Sequence, residues 1–161
     1  MGDIGCINLL TWIEGNETLK SLSIAENKLT DVVAEPLAYM LAKNATLDEL
    51  YLSWNNFSSV GGELIFKSLA KRESLKVLDM AWNSLGSNMK VIKKNALSFV
   101  DTLCSFISNN RKMVHLSLTN NGFSYEESQK IAEVTAAYLT AGVEQEQVHL
   151  RISLFRQLRI H

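Results

Sequence analysis

LDELYLSWNNF, residues 47–57, and LKVLDMAWNSL, residues 75–85, decide the fold of this chain. Both are apolar at their first, fourth, sixth and last positions, carry Asn at the ninth, and lie 28 residues apart. The same five positions recur 28 residues upstream as Leu19, Leu22, Ile24, Asn27 and Leu29. A fourth copy, Met113, Leu116, Leu118, Asn121 and Phe123, follows the third at an offset of 38. Recurrence of one pattern at a fixed period marks a repeat architecture.

Inside each copy the apolar residues alternate, as in Leu50 and Leu52, which is the period of a strand with one buried face. Between copies the pairs Leu9 and Ile13, Leu37 and Leu41, Ile65 and Leu69, and Leu103 and Ile107 recur at the four-residue spacing of a helix face. Asn16, Asn44 and Asn110 each stand three residues before the opening apolar position, and Arg72 takes that place in the third copy. Each unit therefore reads as strand, turn with Asn, helix and short loop. The expected organisation is one domain over 1–161. It has a helical edge at 1–18, repeats at 19–46, 47–74, 75–112 and 113–142, and an irregular segment at 143–161.

Over roughly residues 6–139 this pattern resembles the leucine-rich repeats of the ribonuclease-inhibitor-like class, whose units of about 28 residues pair a short strand with a full helix. The resemblance implies an α/β solenoid, a curved stack with a parallel sheet on the concave face and helices on the convex face. It also implies a family of intracellular scaffolds and Nod-like receptor sensor domains. One unit cannot bury its apolar face alone, so neighbours supply the stability. Asn27, Asn55, Asn83 and Asn121 are expected to form a structural ladder, because an amide side chain both donates and accepts where the backbone leaves the strand.

Composition narrows the function. The chain has 161 residues, 47% of them hydrophobic and 20% charged, with a net charge of −1. This argues against a dedicated nucleic-acid binder, which carries a basic excess. The charge is uneven: residues 1–70 carry nine acids and four Lys, and the remainder is net basic. Two Cys exclude a disulfide scaffold and a Cys-only zinc site. No apolar run reaches the length of a spanning helix. MGDIGCINLL lacks a basic leader and a small-residue cleavage pattern. A cytoplasmic address, with a cytoskeletal or ciliary alternative, and no membrane partner are the expectations.

The chemical motifs are absent: the chain has no GxxxxGK[ST], GxSxG or HExxH, and no metal-ligand spacing. Cys6 and Cys104 fall on presumed helix core positions, and His149 and His161 lie in the tail. The sequons at Asn16 and Asn44 occupy the repeat's own helix-end slot and read as turn chemistry; a third begins at Asn56. A non-enzyme with no cofactor and no metal is expected. A GTPase-activating family of the same fold uses an early-loop Arg, which the loops here do not supply.

The outward strand positions define the candidate binding face. They are Ser21, Ser23, Ala25 and Glu26; Glu49, Tyr51, Ser53 and Trp54; Val77, Asp79, Ala81 and Trp82; and His115, Ser117, Thr119 and Asn120. Trp54 and Trp82 share one register position, and Trp is enriched at binding hot spots. Trp54, Trp82, Tyr51, Asp79, Glu49 and His115 are the candidate partner-binding residues. The competing expectation is that the indoles pack over the ladder for stability.

Two regions depart from the pattern. GSNMKVIKKNALSFVDTL, residues 86–103, holds ten extra residues and the bases Lys90, Lys93 and Lys94, either a convex docking site or a solvated helix extension. In the tail, Leu150 and Ile152 suit a fifth inward strand, while Phe155, Leu158 and Ile160 alternate loosely with Arg151, Arg156 and Arg159. Ends without capping modules suggest self-association, a fragment, or a subunit of a larger assembly. The expected function is a non-catalytic module that binds a protein partner, of unknown identity, through its concave face. The alternatives are a GTPase regulator, a ubiquitin-ligase specificity subunit, or a fragment of an innate-immune-type sensor.

Overall fold

A computed structural model of the chain describes residues 1–71, 74–86, 99–143 and 151–153. Helices and strands alternate along it: α1 (Asp3–Glu14), β1 (Ser21–Ser23), α2 (Ala34–Lys43), β2 (Glu49–Tyr51), α3 (Ser59–Leu69), β3 (Val77–Asp79), α4 (Phe99–Asn109), β4 (His115–Ser117), α5 (Tyr125–Val143) and β5 (Arg151–Ser153). The strands form one parallel sheet in chain order. The register follows the repeat, placing Leu22, Leu50, Leu78, Leu116 and Ile152 in one row across the sheet. Helices pack in the same order, α1 on α2, α2 on α3, α3 on α4 and α4 on α5. The molecule is an α/β leucine-rich repeat solenoid.

The core lies between the two layers. Leu50, Leu52, Leu78, Met80, Leu116 and Leu118 are fully buried beneath Leu37, Ile65, Leu103 and Ile107 of the helices. The described helix α4, Phe99–Asn109, buries Phe99, Val100, Phe106 and Ile107. Phe66 of α3 meets Phe99 and Phe106 edge-on, with centroids 5.7 and 5.1 Å away. That geometry suits the ring quadrupoles.

Periodic hydrogen bonds tie each unit to its neighbour. The Asn27 and Leu29 amides donate to Asn55 Oδ1 at 3.1 and 2.9 Å. Asn55 Nδ2 donates to the Ile24 and Leu52 carbonyls at 3.1 and 3.0 Å. The Leu52 carbonyl also takes Asn83 Nδ2, and the Met80 carbonyl takes both Asn83 and Asn121. Asn55, Asn83 and Asn121 are buried, whereas Asn27, at the edge, is partly exposed.

A second asparagine series closes the helix ends. Asn16 Oδ1 accepts from the Leu19 amide, Asn44 Oδ1 from Leu47 and Asn110 Oδ1 from Met113, at 2.7, 3.0 and 2.7 Å. Asn44 Nδ2 reaches back to the Ile13 and Asn16 carbonyls. The sequon threonine Thr46 donates to Asn16, Leu19 and Asn44 oxygens, which gives it a role in the turn. A third series escaped the sequence reading. Asp3 accepts from the Thr30 amide and hydroxyl at 2.9 and 2.7 Å, and Asp31 accepts from the same groups of Ser58. Both pairs are offset by one repeat, so the period itself held that signal.

The tail contains the fifth inward strand that Ile152 suggested. Arg151–Ser153, inside the segment read as irregular, is a fifth strand paired with β4, and Ile152 packs against the core. Its residues alternate in the same phase as the other strands, and pairing satisfies their backbone groups. Arg72, Lys90, Lys93, Lys94, His149, Leu150, Phe155, Arg156, Leu158, Arg159, Ile160 and His161 lie outside the described residues.

Candidate functional site

The outer face of the sheet is assembled by register. Ser21, Glu49, Val77, His115 and Arg151 form one row; Ser23, Tyr51, Asp79, Ser117 and Ser153 form the next. The parallel ladder runs on past the strands: the Glu26, Trp54 and Trp82 amides donate to the Ser53, Ala81 and Thr119 carbonyls at 3.0, 3.0 and 2.9 Å. Glu26, Trp54, Trp82 and Asn120 therefore make a further row at the rim, where the chain turns out of the sheet. The tryptophans belong to this turn row and not to the strands themselves.

All four rim residues are left-handed, with φ of 58°, 57°, 55° and 55°. Only this twist carries the chain from the strand into the ladder asparagine that follows. For a bulky residue it is strained, at roughly 1–3 kcal/mol. Asn, as at position 120, tolerates it better than Trp. The indoles stack on each other, 4.1 Å between centroids and 10° between planes. Such a pair returns about 0.5–1.5 kcal/mol. They remain 51% and 37% exposed. Stacking alone thus does not offset the backbone strain of two tryptophans at these positions. The indoles pack on one another and stay partly exposed.

The same outer face carries an acidic cluster on β2 and β3. The Tyr51 hydroxyl donates to Glu49 Oε2 at 3.1 Å. Asp79, across from Tyr51 in register, accepts from the Ala81 amide at 3.0 Å. Burial, the Glu49 hydrogen bond and the charges of Glu49 and Asp79 all raise the Tyr51 phenol above its ordinary value, so it stays a neutral donor. His115 stands in the Glu49 row with Val77 between them. The register thus brings Glu49, Tyr51 and Asp79 together, puts the tryptophans on the adjoining rim, and sets His115 at the far side. Glu26 occupies the rim position before Trp54, and its outward placement was legible from the repeat.

The remaining chemistry is sparse. Cys6 and Cys104 are buried, and burial raises both thiols, Cys6 to about 11. No group of three or more His, Cys, Asp or Glu among the described residues could hold a metal ion. No described helix is long and apolar enough to cross a membrane. On the convex side a cavity of about 370 Å³ runs between α3 and α4, lined by Lys67, Lys71, Asp101 and Phe106 among others. Lys67 pairs with Glu63, and Lys130 with Asp101.

The stacked units, the shared register and the asparagine ladder define a leucine-rich repeat fold. The leucine-rich repeat family model matches residues 15–38 and 43–66, which contain the patterns at 19–29 and 47–57. No curated protein matches the sequence. Among solved structures, the chain is similar to one of leiomodin-1 actin-binding site 2, with a TM-score of 0.63 and 18% identity over 91% of this chain and 79% of that one. It is also similar to the tropomodulin C-terminal domain of Caenorhabditis elegans, with a TM-score of 0.55 and 14% identity over 89% of this chain and 97% of that one. At these identities the likeness is one of fold.

Proposed function

We propose that this chain is a non-catalytic interaction module that binds a protein partner across its concave face, with the Trp54–Trp82 stack as anchor. The observation that carries this reading is the stack itself: two large, rigid, half-exposed rings held on strained backbone at the rim of the sheet face that carries Glu49, Tyr51 and Asp79. An apolar centre with a polar rim is the usual anatomy of a binding patch. The open sheet face offers area and no enclosed reaction site, which suits a protein ligand. The 28-residue period, with a helix in each unit, supports placement in the ribonuclease-inhibitor-like class.

Capture from native lysate with wild type and with a Trp54→Asn/Trp82→Asn variant tests the reading. The expected result is a discrete set of proteins held by wild type and lost by a variant that still unfolds cooperatively. An unchanged set would overturn it. One similar structure is actin-binding site 2 of leiomodin-1, so actin is the first defined partner to test, and a cytoplasmic, cytoskeletal address is the one proposed. Co-sedimentation with actin filaments should deplete wild type and spare the double variant. If wild type stays in the supernatant, actin filaments are not the partner.

A further inference from the structure

The stack has two unequal ends. Its rings are nearly parallel and occupy adjacent columns of the rim row, so their normals run along the row. The outer face of Trp82 looks toward the Asn120 column, and the outer face of Trp54 toward the Glu26 column. Neighbouring columns are about 4.8 Å apart, close to the 4.1 Å separation of the two rings. A planar group stacked on Trp54 at that distance therefore sits over the column of Glu26. Where a third aromatic would extend the stack, the chain carries an exposed carboxylate.

The outward strand positions share its sign, while the N-terminal ammonium donates to Oδ1 of the adjacent Asn27 at 2.6 Å. Over β1 to β4 the outward positions carry Glu26, Glu49 and Asp79, and neither Lys nor Arg. Glu26 has no ion-pair partner among the described residues. Lys28, exposed two residues further along the turn, is the nearest base in sequence. An indole face attracts cations through its quadrupole. A guanidinium is planar, stacks on aromatic rings and forks onto carboxylates, so it satisfies both groups at once.

Building on the concave interface proposed above, we infer that the outer face of Trp54 and the Glu26 carboxylate form a pocket for one arginine side chain of the partner. Trp82 backs the ring and fixes its orientation. Glu49 and Asp79 draw a basic segment toward the sheet. Asn120 at the opposite end offers no charge, so the arginine is taken at the Trp54 end.

The test uses the full chain and two small probes, N-acetyl-arginine amide and its neutral isostere N-acetyl-citrulline amide. Indole N–H resonances of Trp54, Trp82 and Trp12 are followed by NMR. Trp12, on α1 and 84% exposed, is the internal control. The arginine probe should shift Trp54 more than Trp12 by roughly threefold or more, and Glu26→Gln should remove most of that excess. Equal shifts at Trp54 and Trp12, equal effects of citrulline, or indifference to Glu26→Gln would overturn the pocket. With a captured partner, Glu26→Gln should weaken binding about fivefold, and Trp54→Asn should weaken it further. Loss with Trp54→Asn but none with Glu26→Gln sinks the arginine pocket and leaves the interface. No loss with either sinks both.

Discussion

Asn55 satisfies two backbone donors and two backbone acceptors in a buried turn, spanning two repeats as it does so. Leucine in its place takes this partner from the Asn27 and Leu29 amides and the Ile24 carbonyl, while the Leu52 carbonyl keeps Asn83 Nδ2, and each unmet buried group costs about 1–3 kcal/mol. Asn55→Leu is therefore expected to lose about 3 kcal/mol or more in urea unfolding. Asn27→Leu, at the exposed edge, should lose less than half of that. Equal losses would mean that burial does not govern the ladder. Trp54 behaves oppositely. Asparagine relieves left-handed strain while forfeiting the stack and some burial, so Trp54→Asn should change stability by no more than about 1 kcal/mol. A much larger loss by thermal melting would make the indoles structural. The ladder was legible in the sequence because one residue type recurs at one position. The left-handed turn was not, because Glu, Trp, Trp and Asn share no side-chain signature and the conformation comes from the ladder residue behind them.

Between elements, close approach and burial set the sensitive positions. A Cβ on Gly86 would lie 2.2 Å from the Gly122 carbonyl oxygen, where the turns of the third and fourth units meet. Backbone cannot yield as a side chain does, so Gly86→Ala should cost about 1–3 kcal/mol and loosen the contact that carries the Gly86 amide to the Asn121 carbonyl. Chemical denaturation measures it; a neutral result would show that the two turns separate freely. Helix α1 docks through Cys6, Leu10 and Ile13. The Cys6 thiol is raised from 9.0 to about 11 by burial first and by Asp3 second, with the N-terminal ammonium opposing. A folded value above the unfolded one means that the thiol's contribution is whole below pH 9 and falls away as pH rises through about 11. Wild type should lose stability over this window, Cys6→Ala should lose less of it, and at neutral pH Cys6 should resist thiol reagents. Helix positions were legible from the four-residue spacing. The Asp3–Thr30 and Asp31–Ser58 links were not, since single Asp, Thr and Ser residues at helix starts and turns look like surface until the period is applied to them.

Across the whole molecule, stability is a chain of neighbour contacts. Each helix packs on the next in sequence, each strand pairs with the next, and the hydrogen-bond series step by single repeats. In such a stack an inner unit is held from both sides and an end unit from one. Among the described residues β2 and β3 have a partner on each edge, whereas β1 has one only at β2. Amide exchange under native conditions should therefore be slowest in Leu50–Leu52 and Leu78–Met80 and faster in Leu22–Ile24. The spread reports how far end units open without the centre. Leu50→Ala removes a fully buried side chain from a central unit, at about 2–5 kcal/mol. Because that unit couples to both neighbours, exchange should accelerate throughout β1 to β3 and not at residue 50 alone. If only the second unit speeds up, the repeats fold as independent modules. If β1 is protected as strongly as β3 in wild type, the stack is a single cooperative block and the neighbour description of its energetics fails.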